Sequence, residues 1–596
     1  MAATASFPAA PPAGLHARKL LWLLVLFCVV TLYPPGDVIE TIRHLRVPDT
    51  DDAMRLVEAR DLAAGQGWYD NVQYRFLPPD GVPSHWSRLL DAPLACLLLV
   101  LTPWVGSGLA EGLVAAFWPP LLLAVYATAL FSGVRTSFGP RAAVLAVLAA
   151  TQTFGVTVQF AAGRVDHHDV QMIAILGMAT ALIRGGARAG VAAGALAAFS
   201  LAIGLEGLPS VALGALFVVG DWVFRGRPAL PCFLGFGLGL GLAAPLLFGA
   251  QTAPHLWTAT ACDALSPPWL WLACGGGAAA LVCAGLDRRL GSIGARIAVV
   301  AAIGAVLVGG FALLFPICLV GPFPGMTLLV RDRWLLMVNE MTSVPKFVAR
   351  RQWEMLVYYP VLALAAFAAS WAAFRGAPEH RRAYGVAAVL LWPGLVIGWF
   401  QFRGIYVASG LIPLVAGPVL DRALALAGDR AAAPRRRAGL AALGIAMIST
   451  AWMAPAALAG LFEESGAAAA SAEAFACQAD GAVKPLAALP AGTVLAPVVM
   501  GPSILMRTPH AVVAAPYHRA IPGLTAAIEG LGGSEADLRR HVAAHGVRYV
   551  VVCRARPSPG LDGPAFATRL ARGEVQADWL EPLPLDGDVL KVWRVR

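Results

Sequence analysis

Apolar runs of about 20 residues, with few charges, recur through most of this 596-residue chain. A run of that length is what an α-helix needs to cross the hydrocarbon core of a bilayer. Lipid offers the backbone no hydrogen-bond partners, so a spanning segment must satisfy its own N–H and C=O groups, and continuous runs do this as helices. Thirteen runs emerge, near 19–35, 109–132, 142–161, 169–184, 189–205, 208–224, 229–250, 268–286, 295–315, 354–374, 383–400, 404–424 and 438–461. The stretch 93–103, between Pro93 and Pro103, is too short to span and reads as a re-entrant or interfacial helix. Charged residues make up 14% of the chain, against about 25% in soluble proteins. A soluble globule, a disordered chain and a coiled coil are thereby excluded, and the 17 Trp serve as interfacial anchors.

The net charge of +9 would suggest nucleic acid in a soluble protein. Here its placement gives another meaning. With the N-terminus inside, alternate short loops carry Arg135 and Arg141, Arg184 and Arg188, Arg225 and Arg227, Arg288 and Arg289, Arg375 with Arg381 and Arg382, and Arg430 with Arg435 to Arg437. Basic loops face the cytoplasm, so the excess reports orientation and calls for no nucleic acid. The first run follows Arg18 and Lys19 without a small-residue cleavage site, and reads as a retained helix. The opposite face receives a first loop at 36–108, a short loop at 162–168, a loop at 317–353 and everything from residue 463.

That last region reads as an extracytoplasmic α/β domain over 463–596, following a transmembrane domain over 1–462. Strands are expected at 493–499, 510–515 and 548–553, and a helix over 534–545 capped by Ser534 with Asp537 three residues on. The alanine-rich 467–474 segment is linker or helix. Of nine Cys, most lie in apolar helices as small core residues. Cys477 and Cys553 fall in the external domain, where an oxidising compartment allows a disulfide between them.

The acids concentrate on the outer face. Asp49-Thr50-Asp51-Asp52 opens the first loop, with Arg55, Glu58, Arg60 and Asp61 following. Such a cluster is either a helix-capping acidic turn or a set of oxygen ligands for a hard divalent cation, Mg²⁺ or Mn²⁺. Gly163-Arg164-Val165-Asp166-His167-His168-Asp169 lies at a membrane boundary, where ionisable groups need partners. In an extended segment Asp166 and His168 point the same way and can share one ion. Glu340 sits in the late external loop, Arg403 and Tyr406 lie at the outer boundary between two spans, and Glu206 is a buried acid without an assigned role. A guanidinium there either snorkels to lipid phosphate or holds the phosphate of a lipid-linked substrate.

An early Asp motif after the first helix, Asp-x-His after the third, Val338-x-Glu340 in a late external loop and Arg403 followed by Tyr406 resemble the catalytic subunit of oligosaccharyltransferases. Gly163 to His168 is similar to the archaeal G-x-x-D-H-H, and the Phe402-Arg403 stretch to Pro413 to the family's diphosphate-contacting segment. The resemblance implies a GT-C fold with about 13 transmembrane helices. It also implies an inverting glycosyltransferase that moves a sugar or oligosaccharide from a polyprenyl-phosphate or polyprenyl-diphosphate carrier, outside the cytoplasm, in a bacterial inner membrane. In that setting Asp51 or Asp49, with Asp166 and His168, would hold the cation. Arg403 and Tyr406 would bind donor phosphate, and Glu340, Asp51 and Asp49 would serve catalysis. His85, His167 and Arg55 are secondary candidates. The family's W-W-D-Y-G signature is absent, with Val498 to Ile504 where it is expected, so the acceptor (protein, lipid or polysaccharide) is open. Rival readings are a monosaccharide transferase of the same fold using a polyprenyl monophosphate, a transporter or flippase, and an inactive assembly subunit.

Overall fold

The computed structural model describes residues 15–429, 431–460, 476–554, 560–561, 563–585 and 589–596. Arg430, the 467–474 segment and the expected domain boundary at 462/463 lie outside them. Among the described residues nine helices are long and apolar enough to cross a membrane, or up to eleven if two bent pairs each count as one span. The expected thirteen are not reached, for local reasons. The run at 142–161 breaks after Pro140–Ala150 and resumes as the short helix Phe154–Gln159. The runs at 19–35 and 438–461 belong to helix pairs bent by 69° and 91°. Those at 169–184 and 189–205 form helices of 17 residues, His168–Arg184 and Ala187–Ile203. The stretch 93–103, expected as a re-entrant or interfacial helix, lies within a longer helix of 18 residues, Arg88–Val105, which has the length and hydropathy of a span. Its charged start is compensated, because Asp91 pairs with Arg88 at 3.2 Å and with Arg55 at 2.8 Å.

The loops sort into two groups by contact. In one, Arg382 pairs with Asp221 and donates to the Leu182 carbonyl, Arg227 pairs with Asp287 and Arg141 with Asp421. These belong to the loops expected in the cytoplasm. In the other, the segments around Asp49, Arg164, Glu206, Glu340 and Arg403 meet one another and the C-terminal domain.

That domain carries a five-stranded mixed sheet in the order β4-β3-β5-β7-β6, from β3 (Thr493–Leu495), β4 (Ala511–Val512), β5 (Val547–Cys553), β6 (Leu580–Leu583) and β7 (Leu590–Val595). The first two are shorter than expected; after β3 the chain turns into a 3-10 helix at Val498–Met500. Side chains of β5 alternate as a pleated strand requires. Tyr549, Val551 and Cys553 pack toward the transmembrane side with Met54, Leu94 and Val114, whereas Val550 and Val552 pack under the domain's own helices with Leu531, Leu538 and Val542. Burial on both faces is why the segment reads as one continuous apolar run. Helix Glu535–Ala544 has the expected capping box of Ser534 and Asp537.

The first external loop, which forms a ribbon of β1 (Val72–Gln73) and β2 (Val82–Pro83), is built into this sheet. Leu77 N donates to Val512 O and Val512 N to Arg75 O, and the Arg75 guanidinium donates to the Leu505, Thr508 and His510 carbonyls. The Cys477–Cys553 disulfide is present. A second one, Cys262–Cys318, was not expected, since these cysteines abut apolar runs; both lie in interhelical loops.

Candidate active site

Helix Thr50–Ala63 opens at Asp49, whose side chain accepts from Asp51 N at 3.3 Å. Asp51 and Asp52 fill the first turn, where carboxylates are favoured by the unpaired N–H groups. The acidic run is therefore a helix cap, as the plainer reading held, and it also faces the site. Asp49 and Asp51 both line a cavity of about 1460 Å³. Burial and the charges of Asp49, Asp166 and Glu340 push the Asp51 carboxyl well above the usual carboxylate range.

Asp52, which sequence reasoning passed over, turns inward and is fully buried. It accepts from Val165 N at 2.8 Å, from Asp166 N at 3.0 Å and from Arg164 Nη1 at 3.2 Å. Burial pushes its carboxyl up to about 7, with Arg164 opposing. Asp52 thus fastens the second motif to the first. Gly163 shapes the approach, because its φ is +87° and a Cβ there would lie 2.5 Å from the Arg46 carbonyl oxygen.

Asp166, His167 and His168 are buried and offer ligand atoms all within 4.8 Å of one another. The expected strand-like alternation is not the cause. Asp166 precedes a helix that begins at His168, and this turn brings His168 Nε2 to 3.5 Å from Asp166 Oδ2. His167 Nδ1 lies 2.6 Å from Asp166 Oδ1. Burial would lower the His167 pKa, but Asp166 and Glu206 raise it to about 10. Burial likewise opposes ionisation of Asp166, yet His167, His168 and Arg164 hold its carboxyl well below the usual range.

The late loop reaches this cluster from the other side. Glu340, in a 3-10 turn, has Oε1 3.8 Å from His168 Nε2 and accepts from Arg403 Nη2 at 2.8 Å and Nε at 3.1 Å. Backbone bonds reinforce the contact, from Arg403 N to Glu340 O and from Phe402 N to Thr342 O, both 2.9 Å. Tyr406 sets its ring edge-to-face with His168, with 5.2 Å between centroids. Glu206 also lines the cavity.

Two secondary candidates do not join the cluster. Arg55 is fully buried, pairs with Asp91 and covers the Trp86 ring at 4.5 Å. It faces the packed segment around Trp86 and Asp91, and also pairs with Glu58 of its own helix at 3.6 Å. His85 lines the cavity but belongs to an aromatic group with Trp86, Tyr517 and His518. Burial and the charges of His518 and Arg519 lower its pKa. Beside it, Asp263 accepts from His518 at 2.7 Å and from Arg519 at 2.8 and 3.0 Å, clasping the 253–266 loop to the C-terminal domain.

The donor set suits a divalent cation. Carboxylate and imidazole atoms from Asp166, His168 and Glu340 converge, and carboxylates from the first motif line the same cavity as His168 and Glu340.

No family model and no curated protein matches this sequence. Solved structures do match. The oligosaccharyltransferase AglB of Archaeoglobus fulgidus, in complex with an inhibitory peptide and a dolichol-phosphate, aligns at 15% identity and a TM-score of 0.62, over 90% of this chain and 69% of that one. The same enzyme tethered to an acceptor peptide containing the NVT sequon gives 14% and 0.65 over the same shares. Its complex with Zn and sulfate gives 14% and 0.61, over 90% of this chain and 68% of that one. With its helical spans and C-terminal sheet, and this likeness in backbone, the chain has the GT-C fold.

Proposed function

We propose that this protein is an integral-membrane glycosyltransferase. It moves a sugar or oligosaccharide from a polyprenyl-phosphate or polyprenyl-diphosphate carrier to an acceptor on the extracytoplasmic face, with inversion and with Mg²⁺ or Mn²⁺ bound. The observation that carries the reading is the convergence of His168, Glu340 and Arg403, from three distant segments, in one cavity with Asp49 and Asp51, with Asp166 buried against His168 at 3.5 Å. A lipid-linked donor accords with the dolichol-phosphate in the complex of AglB, and a cation site accords with the zinc of another.

Asp166, His168 and a carboxylate of the first motif would hold the cation. Asp51 is the better placed, since Asp49 already caps its helix and lies 3.4 Å from Arg164. Such a cation, when bound, stabilises the phosphate leaving group as charge develops. Arg403 supplies fixed positive charge for the same phosphate, once Glu340 shares it with the donor. The acceptor attacks the anomeric carbon, the bond to the carrier oxygen breaks and the carrier phosphate keeps the electron pair. An acidic proton from the acceptor passes to a carboxylate of the first motif. The orientation is supported by the basic loops gathered at one end and both disulfides at the other. This topology suits a bacterial inner membrane with the 463–596 region in the periplasm.

The test is to incubate purified protein with extracted lipid-linked sugars and candidate acceptors, with Mn²⁺ or with chelator, and to follow mass gain by mass spectrometry. A covalent product that requires the cation is expected. Movement of lipid-linked sugar across proteoliposomes with no covalent product would select the transporter reading instead.

A further inference from the structure

Glu206 lines the cavity yet has no task in the reading above. It stands in the 3-10 turn Leu205–Gly207, between helix Ala187–Ile203 and the span that follows. Its Oε2 is 3.3 Å from His167 Nε2, and its Oε1 is 3.8 Å from Arg403 Nη1. His167 turns its other nitrogen to Asp166 Oδ1, whose partner oxygen Oδ2 faces His168. A line of contacts therefore runs from Glu206 through His167 to Asp166. The turn itself is fastened to the helix that starts at His168, because Gln171 Nε2 donates to the Gly204 carbonyl at 2.9 Å. Gly204 leaves room for the contact, since a Cβ there would lie 2.5 Å from Glu206 Oε2 and 3.2 Å from the His167 ring.

We propose that Glu206 is a positioning residue of the cation site: through His167 it fixes the Asp166 carboxylate with Oδ2 turned toward His168. The inference rests on Asp166 and His168 being the cation's ligands. Two effects act in the same direction. Partners that orient a ligand typically contribute 10–100-fold in metal affinity, and a carboxylate this close to a cation attracts it directly. Gly204→Ala separates them. The backbone at Gly204 is extended, with φ −175°, so alanine fits it; its methyl displaces the flexible end of Glu206 and meets the His167 ring at 3.2 Å, breaking the contact between them while the charge stays.

The experiment measures Mn²⁺ affinity of the purified full-length chain by electron paramagnetic resonance, with thermal unfolding in chelator alongside. Glu206→Gln and Gly204→Ala are each expected to weaken Mn²⁺ about tenfold while leaving metal-free unfolding in place. Combining Glu206→Gln with His167→Ala is expected to cost less than the two single losses multiplied, because the part of the Glu206 effect that runs through His167 is already gone. Affinities within about twofold of wild type in both single variants would overturn the proposal. So would additive losses in the double variant, or a fall in metal-free unfolding temperature that accompanies the loss in both single variants. Asp166→Ala keeps the two levels apart. Wild-type affinity in that variant overturns the ligand reading itself, whereas its loss beside an unaffected Glu206→Gln overturns only the role of Glu206.

Discussion

Asp52 and Asp51 are neighbours in one helical turn, and burial gives them opposite work. Asp52 is sealed against the backbone of the second motif, while Asp51 faces the cavity. Replacing Asp52 by Ala strands two backbone N–H groups and removes from Arg164 its nearest buried carboxylate. Removing one member of a buried pair costs about 3–5 kcal/mol, so Asp52→Ala should lower the unfolding temperature markedly, as scanning calorimetry or thermal aggregation would read. Asp166→Ala should behave differently. It removes a group aimed at the reacting centre as well as the buried partner of His167, so transfer should fall by at least about 100-fold in the fraction that remains folded; unchanged product by mass spectrometry would sink the enzyme reading. Asp166, His168, Glu340 and Arg403 were legible in the sequence as ionisable residues at a membrane boundary. Asp52 and Glu206 were visible as acids, but their partners lie more than 100 residues or one helix pair away, and no spacing rule reaches that far. Arg55, a secondary candidate, is buried in ion pairs with Glu58 and Asp91, partners that its position in the sequence does not single out.

At the level of elements, the loops that carry the site are held by specific clasps. The late loop is pinned to the 402–403 backbone on one side, and Arg333 reaches the Gly560 carbonyl in the C-terminal domain on the other. The 253–266 loop is tied to Cys318 by a disulfide and to His518 and Arg519 through Asp263. Burial would raise the Asp263 carboxyl, but hydrogen bonds from His518 and Arg519 hold it far below the usual range. A carboxylate depressed in the folded state stabilises above its unfolded value of about 4 and loses that contribution as the pH falls below it. Thermal unfolding between pH 7 and pH 3 should therefore show a steeper acid loss in wild type than in Asp263→Asn, and parallel curves would refute the clasp. Hydropathy located most helices but not their depth in the bundle. Helix Ile293–Leu314 has none of its apolar window buried and Gly404–Gly428 has 67%, although both read as spans. Lipid and protein interior are equally apolar, so the sequence cannot distinguish them.

For the whole molecule, topology is the claim most open to direct measurement. A reporter enzyme active only outside the cytoplasm should be active when fused after residue 460 and inactive when fused at 185–188. Disulfide mapping of the membrane-purified protein should recover the Cys262–Cys318 and Cys477–Cys553 linked peptides, since both lie at the end assigned to an oxidising compartment. The sequence by itself determined that this chain is a helical membrane protein, which ends of its helices carry basic loops, and which acids stand at the opposite boundary. Those follow from local quantities: run length, charge placement and residue type. Only the tertiary structure decided that the first loop joins the C-terminal sheet, that Asp52 binds the Asp166 turn, and that Glu206, Glu340 and Arg403 meet around His167 and His168. These contacts join segments separated by tens to hundreds of residues, and what selects them is the satisfaction of buried charge and backbone groups in three dimensions.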